Sequence, residues 1–104
     1  MSIKLLAMYK TPPDVDAFMK YYLGTHIPLA AKIPGLSRTV INRLDHVGPM
    51  NAPSPYFLIA ELHFADRAAF ERAMASPENR VVGKDLRTFA AGLVTVAVAE
   101  EIAT

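Results

Sequence analysis

The chain has 104 residues and no cysteine, and its 11 lysines and arginines nearly balance its 10 aspartates and glutamates. This length suits a single domain over residues 1–104, and the missing thiols exclude both a disulfide framework and a thiolate metal site. The basic residues are scattered rather than clustered, so no nucleic-acid partner is expected. No apolar stretch approaches the roughly 20 residues that span a bilayer, and no export signal is recognisable, so we expect no membrane contact and a cytoplasmic protein.

A strand, a helix and a second strand are predicted over the first half of the chain. Ile3–Lys10 has the apolar pattern of a strand, and two prolines follow it. Asp14 is a suitable N-cap for the helix that comes next, in which Gly24 and Pro28 predict a kink. A Pro-Gly pair then separates this helix from the second strand at Leu36–Leu44. The predicted buried stripe of the helix consists of Val15, Phe18, Met19, Tyr22, His26, Leu29, Ala30 and Ile33.

The second half of the chain adds two strands and two helices. Asp45–Pro55 is rich in glycine and proline, which predicts a loop. Tyr56–Phe64 is dense in aromatic and aliphatic residues, which predicts the third strand. Asp66 is the expected N-cap of a short helix, and Ser76, followed by proline and glutamate, begins another. Leu93–Glu100 is the last predicted strand.

The element order β-α-β-β-α-β is the split pattern of ferredoxin-like folds, so we predict an α+β domain with one four-stranded antiparallel sheet and its helices on one face. The strands carry apolar residues on both faces, and 52% of the chain is hydrophobic. Because the helices gather on one face of the sheet, the second face needs another cover. A second copy packed sheet to sheet is the simplest one, which predicts a homodimer.

Glu61 and His63 interrupt a mostly apolar face of the third predicted strand, which also carries Phe57 and Ile59. Burying a carboxylate costs free energy unless it is paired, so this face is expected to line a space that admits water or a ligand. Glu61 and His63 are therefore candidate catalytic residues, and Phe57 and Ile59 are candidate ligand contacts. The alternative is that both polar side chains lie near the end of the sheet and reach solvent.

His26 lies on the buried stripe of the first helix, beside the predicted kink. As a structural residue it would bind the backbone carbonyl that Pro28 leaves without a donor. As a functional residue it would transfer a proton to or from a ligand. Asp85, in the last helix, is expected from its position to be a solvated charge, and Tyr22 to be a core aromatic residue with a hydrated hydroxyl.

The histidines do not form a recognisable metal site. None of the spacings among His26, His46 and His63 matches a ligand motif. Dinucleotide, P-loop and serine-hydrolase fingerprints are also missing from the sequence. We therefore expect no metal and no cofactor.

Several strings of residues occur together in an order that resembles the EthD family. The more specific ones are His26-Ile27-Pro28-Leu29 and the Pro34-Gly35-Leu36 that follows it. The resemblance extends over nearly the whole chain. The other matching strings are Tyr21-Tyr22, Ala60-Glu61-Leu62-His63-Phe64, Ala75-Ser76-Pro77-Glu78 and Asp85-Leu86 through Phe89.

This resemblance implies a dimeric α/β barrel, in which two four-stranded sheets close around an apolar interior. The histidine of the family motif falls on His26, and the glutamate of the third strand falls on Glu61. Tyr22 and Asp85 lie within matching strings, and we add them to the candidate ligand contacts. His63 stands where the family often has tryptophan, so a role for His63 would be particular to this chain.

The resemblance also leaves two hypotheses about function. The family is named after a protein encoded with an ether-degrading monooxygenase system, and its superfamily includes cofactor-free isomerases, cyclases and monooxygenases. One hypothesis is cofactor-independent proton transfer on a small apolar carbonyl or aromatic compound, by an isomerase, cyclase or decarboxylase type of reaction, in the degradation of organic compounds. The other is non-catalytic binding of a hydrophobic metabolite for a neighbouring oxygenase.

Overall fold

A computed structural model of the chain describes residues 2–47 and 52–104. The strands in this part are β1 (Ile3–Tyr9), β2 (Leu36–Arg43), β3 (His46–Val47), β4 (Ala52–Pro53), β5 (Leu58–Phe64) and β6 (Val94–Glu100). The helices are α1 (Val15–Tyr21), a π-helical segment (Tyr22–His26), α2 (Ile27–Ala30), α3 (Arg67–Met74) and α4 (Pro77–Phe89). The predicted Asp45–Pro55 loop contains the short β3–β4 pair, and its residues 48–51 lie outside the described residues.

The four long strands form one antiparallel sheet in the order β2-β5-β1-β6. Ala60 of β5 lies opposite Ala7 of β1 and Ile41 of β2, and Ala7 lies opposite Val96 of β6. Helices connect β1 to β2 and β5 to β6. This is the ferredoxin-like arrangement that the element order predicts, so the α+β fold class is confirmed.

The three main helices begin at their predicted caps. Asp14, Asp66 and Ser76 each accept a hydrogen bond, 2.8 to 3.1 Å long, from the backbone N–H three residues further along the chain. These side chains satisfy donors that the first helical turn leaves without a partner. The predicted starts of α1, α3 and α4 are confirmed.

The π-helical segment stands at the position of the predicted kink. The backbone N–H of Ile27 donates to the carbonyl of Tyr22, five residues earlier, and Pro28, which has no N–H, follows directly. Such wide turns are rare in proteins and are frequent at functional sites. This one leaves both Tyr22 and His26 buried, with their rings stacked and the ring centroids 5.7 Å apart.

The helices cover one face of the sheet, and the core lies between the two layers. On this face Tyr9 of β1 packs edge-on against Phe18 and Tyr22, with ring centroids 5.5 and 5.4 Å apart. On the opposite face, which we call the open face, no residue of β1 or β5 is buried. Within the described residues, the sheet is therefore covered on one side only, as the sequence predicts.

Candidate functional site

A histidine and a carboxylate meet between the π-helical segment and α4. The Nδ1 atom of His26 lies 2.9 Å from Oδ2 of Asp85, and the two side chains are only 6% and 12% exposed. An ionised carboxylate can only accept a hydrogen bond, so Nδ1 carries the hydrogen. In the neutral ring this leaves Nε2 as a proton acceptor, and Nε2 makes no hydrogen bond to any described residue.

Asp85 also connects this pair to the surface. The hydroxyl of Tyr21 donates to the second carboxylate oxygen, Oδ1, at 2.5 Å, and Tyr21 is 37% exposed. This hydrogen bond to Asp85 is the main reason why the pKa of Tyr21 is raised. Both oxygens of Asp85 are therefore occupied, which fixes the carboxylate behind the His26 ring.

A cavity of about 40 Å³ lies beside this pair, between the helices and the covered face of the sheet. Its polar lining residues are Tyr9, Tyr22, His26 and Asn79, and every other lining residue is aliphatic. This volume has room for a water molecule or a ligand atom in contact with the polar groups. The site therefore combines an apolar wall with a histidine whose orientation is fixed.

Two tyrosines of the cavity stay neutral at physiological pH. Burial raises the pKa of Tyr22 to about 12 and raises that of Tyr9 as well. Tyr22 is 0% exposed, and among the described residues its hydroxyl makes no hydrogen bond of normal geometry, although Tyr9 lies close enough to influence its pKa. Tyr22 is the core aromatic residue that the sequence predicts, because the π-helical segment turns its ring into the core.

A second polar group lies on the open face, around Glu61. Its Oε2 accepts a hydrogen bond of 2.8 Å from Asn42, and its Oε1 lies 3.0 Å from Nε2 of His63 and 3.6 Å from Nζ of Lys4. The hydrogen bond from Asn42, followed by His63 and Lys4, holds the pKa of Glu61 below its ordinary value. An open depression of about 390 Å³ is lined by Glu61, Lys4 and Asn42 together with Ile59 and other apolar residues.

The structure does not bring His26 and Glu61 together. His26 lines the cavity on the covered face with Ala60 and Leu62, whereas Glu61, between them in β5, points to the other face. These two candidate catalytic residues therefore lie on opposite faces of the sheet, and the carboxylate beside His26 is Asp85. Two further expectations are corrected by the same contact: Asp85 is not solvated, and the imidazole Nδ1 pairs with this carboxylate rather than with a carbonyl near the helix kink.

Phe57 is also separated from the open-face group. It precedes β5 and packs on Phe18 in the core, with ring centroids 5.5 Å apart and 7% exposure, whereas Ile59 lines the depression beside Glu61. Sequence reasoning missed Asn42, Lys4 and Tyr21. The first two are found only once strand register is known, because Lys4 and Asn42 lie diagonally across from Glu61 on neighbouring strands.

No helix in the described ranges 2–47 and 52–104 is long and apolar enough to cross a membrane. In the same ranges, no three histidine, aspartate or glutamate side chains come together as a possible metal site.

Fold and site together define a small ferredoxin-like domain with a buried histidine–carboxylate pair. The family model of the EthD domain matches residues 10–92 of this chain. The chain therefore belongs to the EthD family. An 11.0 kDa protein from the thcB–thcC intergenic region of Rhodococcus erythropolis, described as uncharacterized, is 35% identical over 94% of this chain and 93% of its own length. A crystal structure of an EthD family protein from Bacillus halodurans C-125 is 37% identical, with a TM-score of 0.89, over 98% of this chain and 100% of that one.

More distant solved structures share the fold alone. SnoaB from Streptomyces nogalater, a cofactor-independent oxygenase, is 17% identical with a TM-score of 0.67, over 99% of this chain and 95% of that chain. A protein from Jannaschia sp. CCS1, described as dimeric and ferredoxin-like, is 18% identical with a TM-score of 0.67, over 97% of this chain and 100% of that chain.

The hydrogen bonds of Glu61 predict an acid-sensitive contribution to stability. Because its pKa in the folded chain lies below the ordinary value of 4.5, Glu61 stabilises the fold above that pH, and this stabilisation is lost as the pH falls through the lower folded-state pKa. Glu61→Gln should therefore lower the free energy of unfolding at neutral pH and flatten its fall in acid, as measured by urea unfolding from about pH 6 to about pH 3. Glu71→Gln, on the exposed side of α3, is the matched control and should leave the acid slope unchanged. Equal slopes for wild type and Glu61→Gln would contradict the prediction.

Proposed function

We propose that the chain catalyses cofactor-independent proton transfer on a small apolar compound, with His26 as the general base. The observation that carries this proposal is the buried contact between Nδ1 of His26 and Asp85, at 2.9 Å, on the wall of an apolar cavity. A base whose second nitrogen is bound to a carboxylate is held in one tautomer and one orientation. These are the two properties that a proton-transfer site requires.

The proposed reaction needs only groups of this chain. Nε2 of His26 takes a proton from an acidic C–H or O–H group of the ligand, and the imidazolium that forms is stabilised by the negative charge of Asp85. The imidazolium then returns a proton, either the same one or one exchanged with solvent, to the ligand at the same atom or at another one. The reaction leaves no change in oxidation state, so no oxidant or reductant is consumed.

The shape of the site favours a small and uncharged ligand. Among the residues that the structure describes, no lysine or arginine lines the cavity, so a charged ligand would lose its hydration without gaining a partner. At about 40 Å³, the cavity must widen before it holds a ring. Val96, on its wall, is 46% exposed, which makes the edge at β6 and α4 the proposed entrance.

One solved structure that shares the fold is described as an enzyme that works without a cofactor. SnoaB is described as a cofactor-independent oxygenase, and its likeness to this chain concerns the fold. The proposal for this chain therefore rests on its own residues, and oxygenase chemistry is not part of it.

Deuterium exchange tests the proposal directly. In D₂O, the wild type should accelerate exchange at the carbon next to the carbonyl of cyclohexanone, followed by NMR, and His26→Gln should lower the rate above background by about 100-fold or more. His26→Gln must retain its circular dichroism spectrum and a cooperative melt, which separates loss of the base from loss of the fold. If His63→Gln abolished exchange and His26→Gln did not, the active group would be the one on the open face, and the proposal would be wrong.

The second hypothesis, a non-catalytic carrier, predicts a different result in this experiment. A carrier would bind cyclohexanone in ligand-observed NMR without any exchange above background. That result, with the wild type fully folded, would replace the enzyme hypothesis with the carrier.

We also propose that the chain forms a homodimer through the open face. Leu6, Met8 and Ile59 lie partly exposed on this face, around the group of Glu61, and a sheet with apolar residues on both faces requires a second cover. The description of the Jannaschia protein as dimeric supports the proposal. An obligate apolar interface of this kind buries on the order of 2,000 Å² or more in total.

Sedimentation equilibrium checks the dimer. The wild type should have twice the chain mass of 11.4 kDa at micromolar concentration, and Ile59→Lys should lower this mass towards one chain, because it places a charge in the interface. Val81→Lys, at an apolar residue of α4 that is 53% exposed, is the control and should remain dimeric. A wild-type chain that sediments as a monomer would contradict the proposal.

A further inference from the structure

The hydroxyl of Tyr22 is an unexplained polar group in an otherwise apolar core. The residue is 0% exposed, and within the described ranges its hydroxyl makes no hydrogen bond of normal geometry, although Tyr9 lies close enough to influence its pKa. Its ring already packs on Phe18, with centroids 5.8 Å apart, and a phenylalanine would make the same contact without burying a polar atom. A buried hydroxyl without a partner destabilises a fold, so packing alone does not account for tyrosine here.

The place of Tyr22 suggests what the hydroxyl is for. Tyr22 and His26 lie one turn apart in the π-helical segment, and both line the same cavity. Because burial keeps the phenol neutral, its O–H group is available as a donor in the cavity that His26 also lines. A ligand that satisfies both groups therefore carries a hydrogen-bond acceptor for Tyr22 next to an atom that can give a proton to His26.

We infer that Tyr22 donates a hydrogen bond to the carbonyl oxygen of the substrate, which makes the substrate class small, uncharged ketones and lactones with an acidic C–H beside the carbonyl. This inference rests on the proposed function of His26 and adds the group that recognises the oxygen. An α C–H group paired with a carbonyl presents the acceptor to Tyr22 and the proton to His26 at adjacent atoms. The apolar lining suits the rest of such a molecule.

The step balances with these groups alone. The C–H bond breaks, its proton moves to Nε2 of His26, and its electron pair becomes a carbon–carbon double bond while the carbonyl oxygen becomes the enolate oxygen. The hydroxyl of Tyr22 stabilises the negative charge on that oxygen. Return of the proton to the enolate oxygen yields the enol, and where a further C=C bond is conjugated with the enolate, return of the proton to the far carbon of that bond yields an isomer of the substrate.

The first measurement concerns the protein without a ligand. If the Tyr22 hydroxyl lacks a structural partner, Tyr22→Phe removes an unsatisfied group and should raise the melting temperature by about 4 °C or more. Tyr56→Phe, outside the cavity, is the matched control and should melt within about 1 °C of the wild type. An unchanged or lower melting temperature for Tyr22→Phe would mean that the hydroxyl is satisfied within the fold, and would overturn the inference.

The second measurement compares two ligands of one shape. Cyclohexanone carries the acceptor oxygen, and methylenecyclohexane replaces it with a carbon. In Tyr22→Phe, the Kd of cyclohexanone relative to that of methylenecyclohexane, from ligand-observed NMR, should rise by about fivefold. An unchanged ratio, or no binding of either ligand to the wild type, would overturn the inference.

The two proposals fail in different ways. His26→Gln should abolish deuterium exchange and keep the preference for the ketone, because Tyr22 still donates to its oxygen. If Tyr22→Phe lost the preference for the ketone while His26→Gln exchanged as fast as wild type, Tyr22 would recognise the carbonyl and His26 would not be the base. If deuterium exchange depended on His26 and the preference for the ketone did not depend on Tyr22, His26 would remain the proposed base and the proposed contact of Tyr22 with the carbonyl would be wrong.

Discussion

Side chains of a β-strand alternate between the two faces of its sheet, and this alternation divides the chemistry of the chain into two separate regions. In β5, Ala60 and Leu62 face the helices, while Glu61 and His63 face the other way. The helices cover the first face and form a core around His26. The second face keeps its polar group in contact with solvent in one copy of the chain. The face that the helices cover encloses the buried cavity, and the face that they leave open is the one proposed to form the dimer.

Burying the pair of His26 and Asp85 on folding costs free energy, and this cost requires an explanation. Removing a carboxylate from water destabilises a fold unless hydrogen bonds replace the water, and Asp85 has two, from His26 and Tyr21. An apolar pair would pack between the π-helical segment and α4 without this requirement. The hydroxyl of Tyr22, which makes no hydrogen bond of normal geometry to a described residue, is a second destabilising group at the same cavity. The proposed proton transfer rests on His26 and Tyr22, which both line this cavity.

Local sequence signals predicted most of the fold, because they act over a few residues. The N-caps Asp14, Asp66 and Ser76 and the alternating strands fix the elements, and their order fixes the sheet. The site was harder to predict, since its contacts join residues distant in sequence: Asp85 is 59 positions from His26. Helical spacing alone could not show that a π turn before Pro28 brings these two side chains together, and it therefore gave Asp85 the solvated role usual for a helix charge.

The proposed proton transfer requires that Asp85 hold His26 with Nδ1 protonated and Nε2 free to accept a proton. Long-range ¹H–¹⁵N NMR spectra of the folded protein at neutral pH measure this directly, because the ¹⁵N shifts of the two ring nitrogens distinguish the tautomers. The wild type should show a protonated Nδ1 and an unprotonated Nε2 for His26, and this preference should be lost in Asp85→Asn. A His26 ring that carries a proton on Nε2 in the wild type would contradict it.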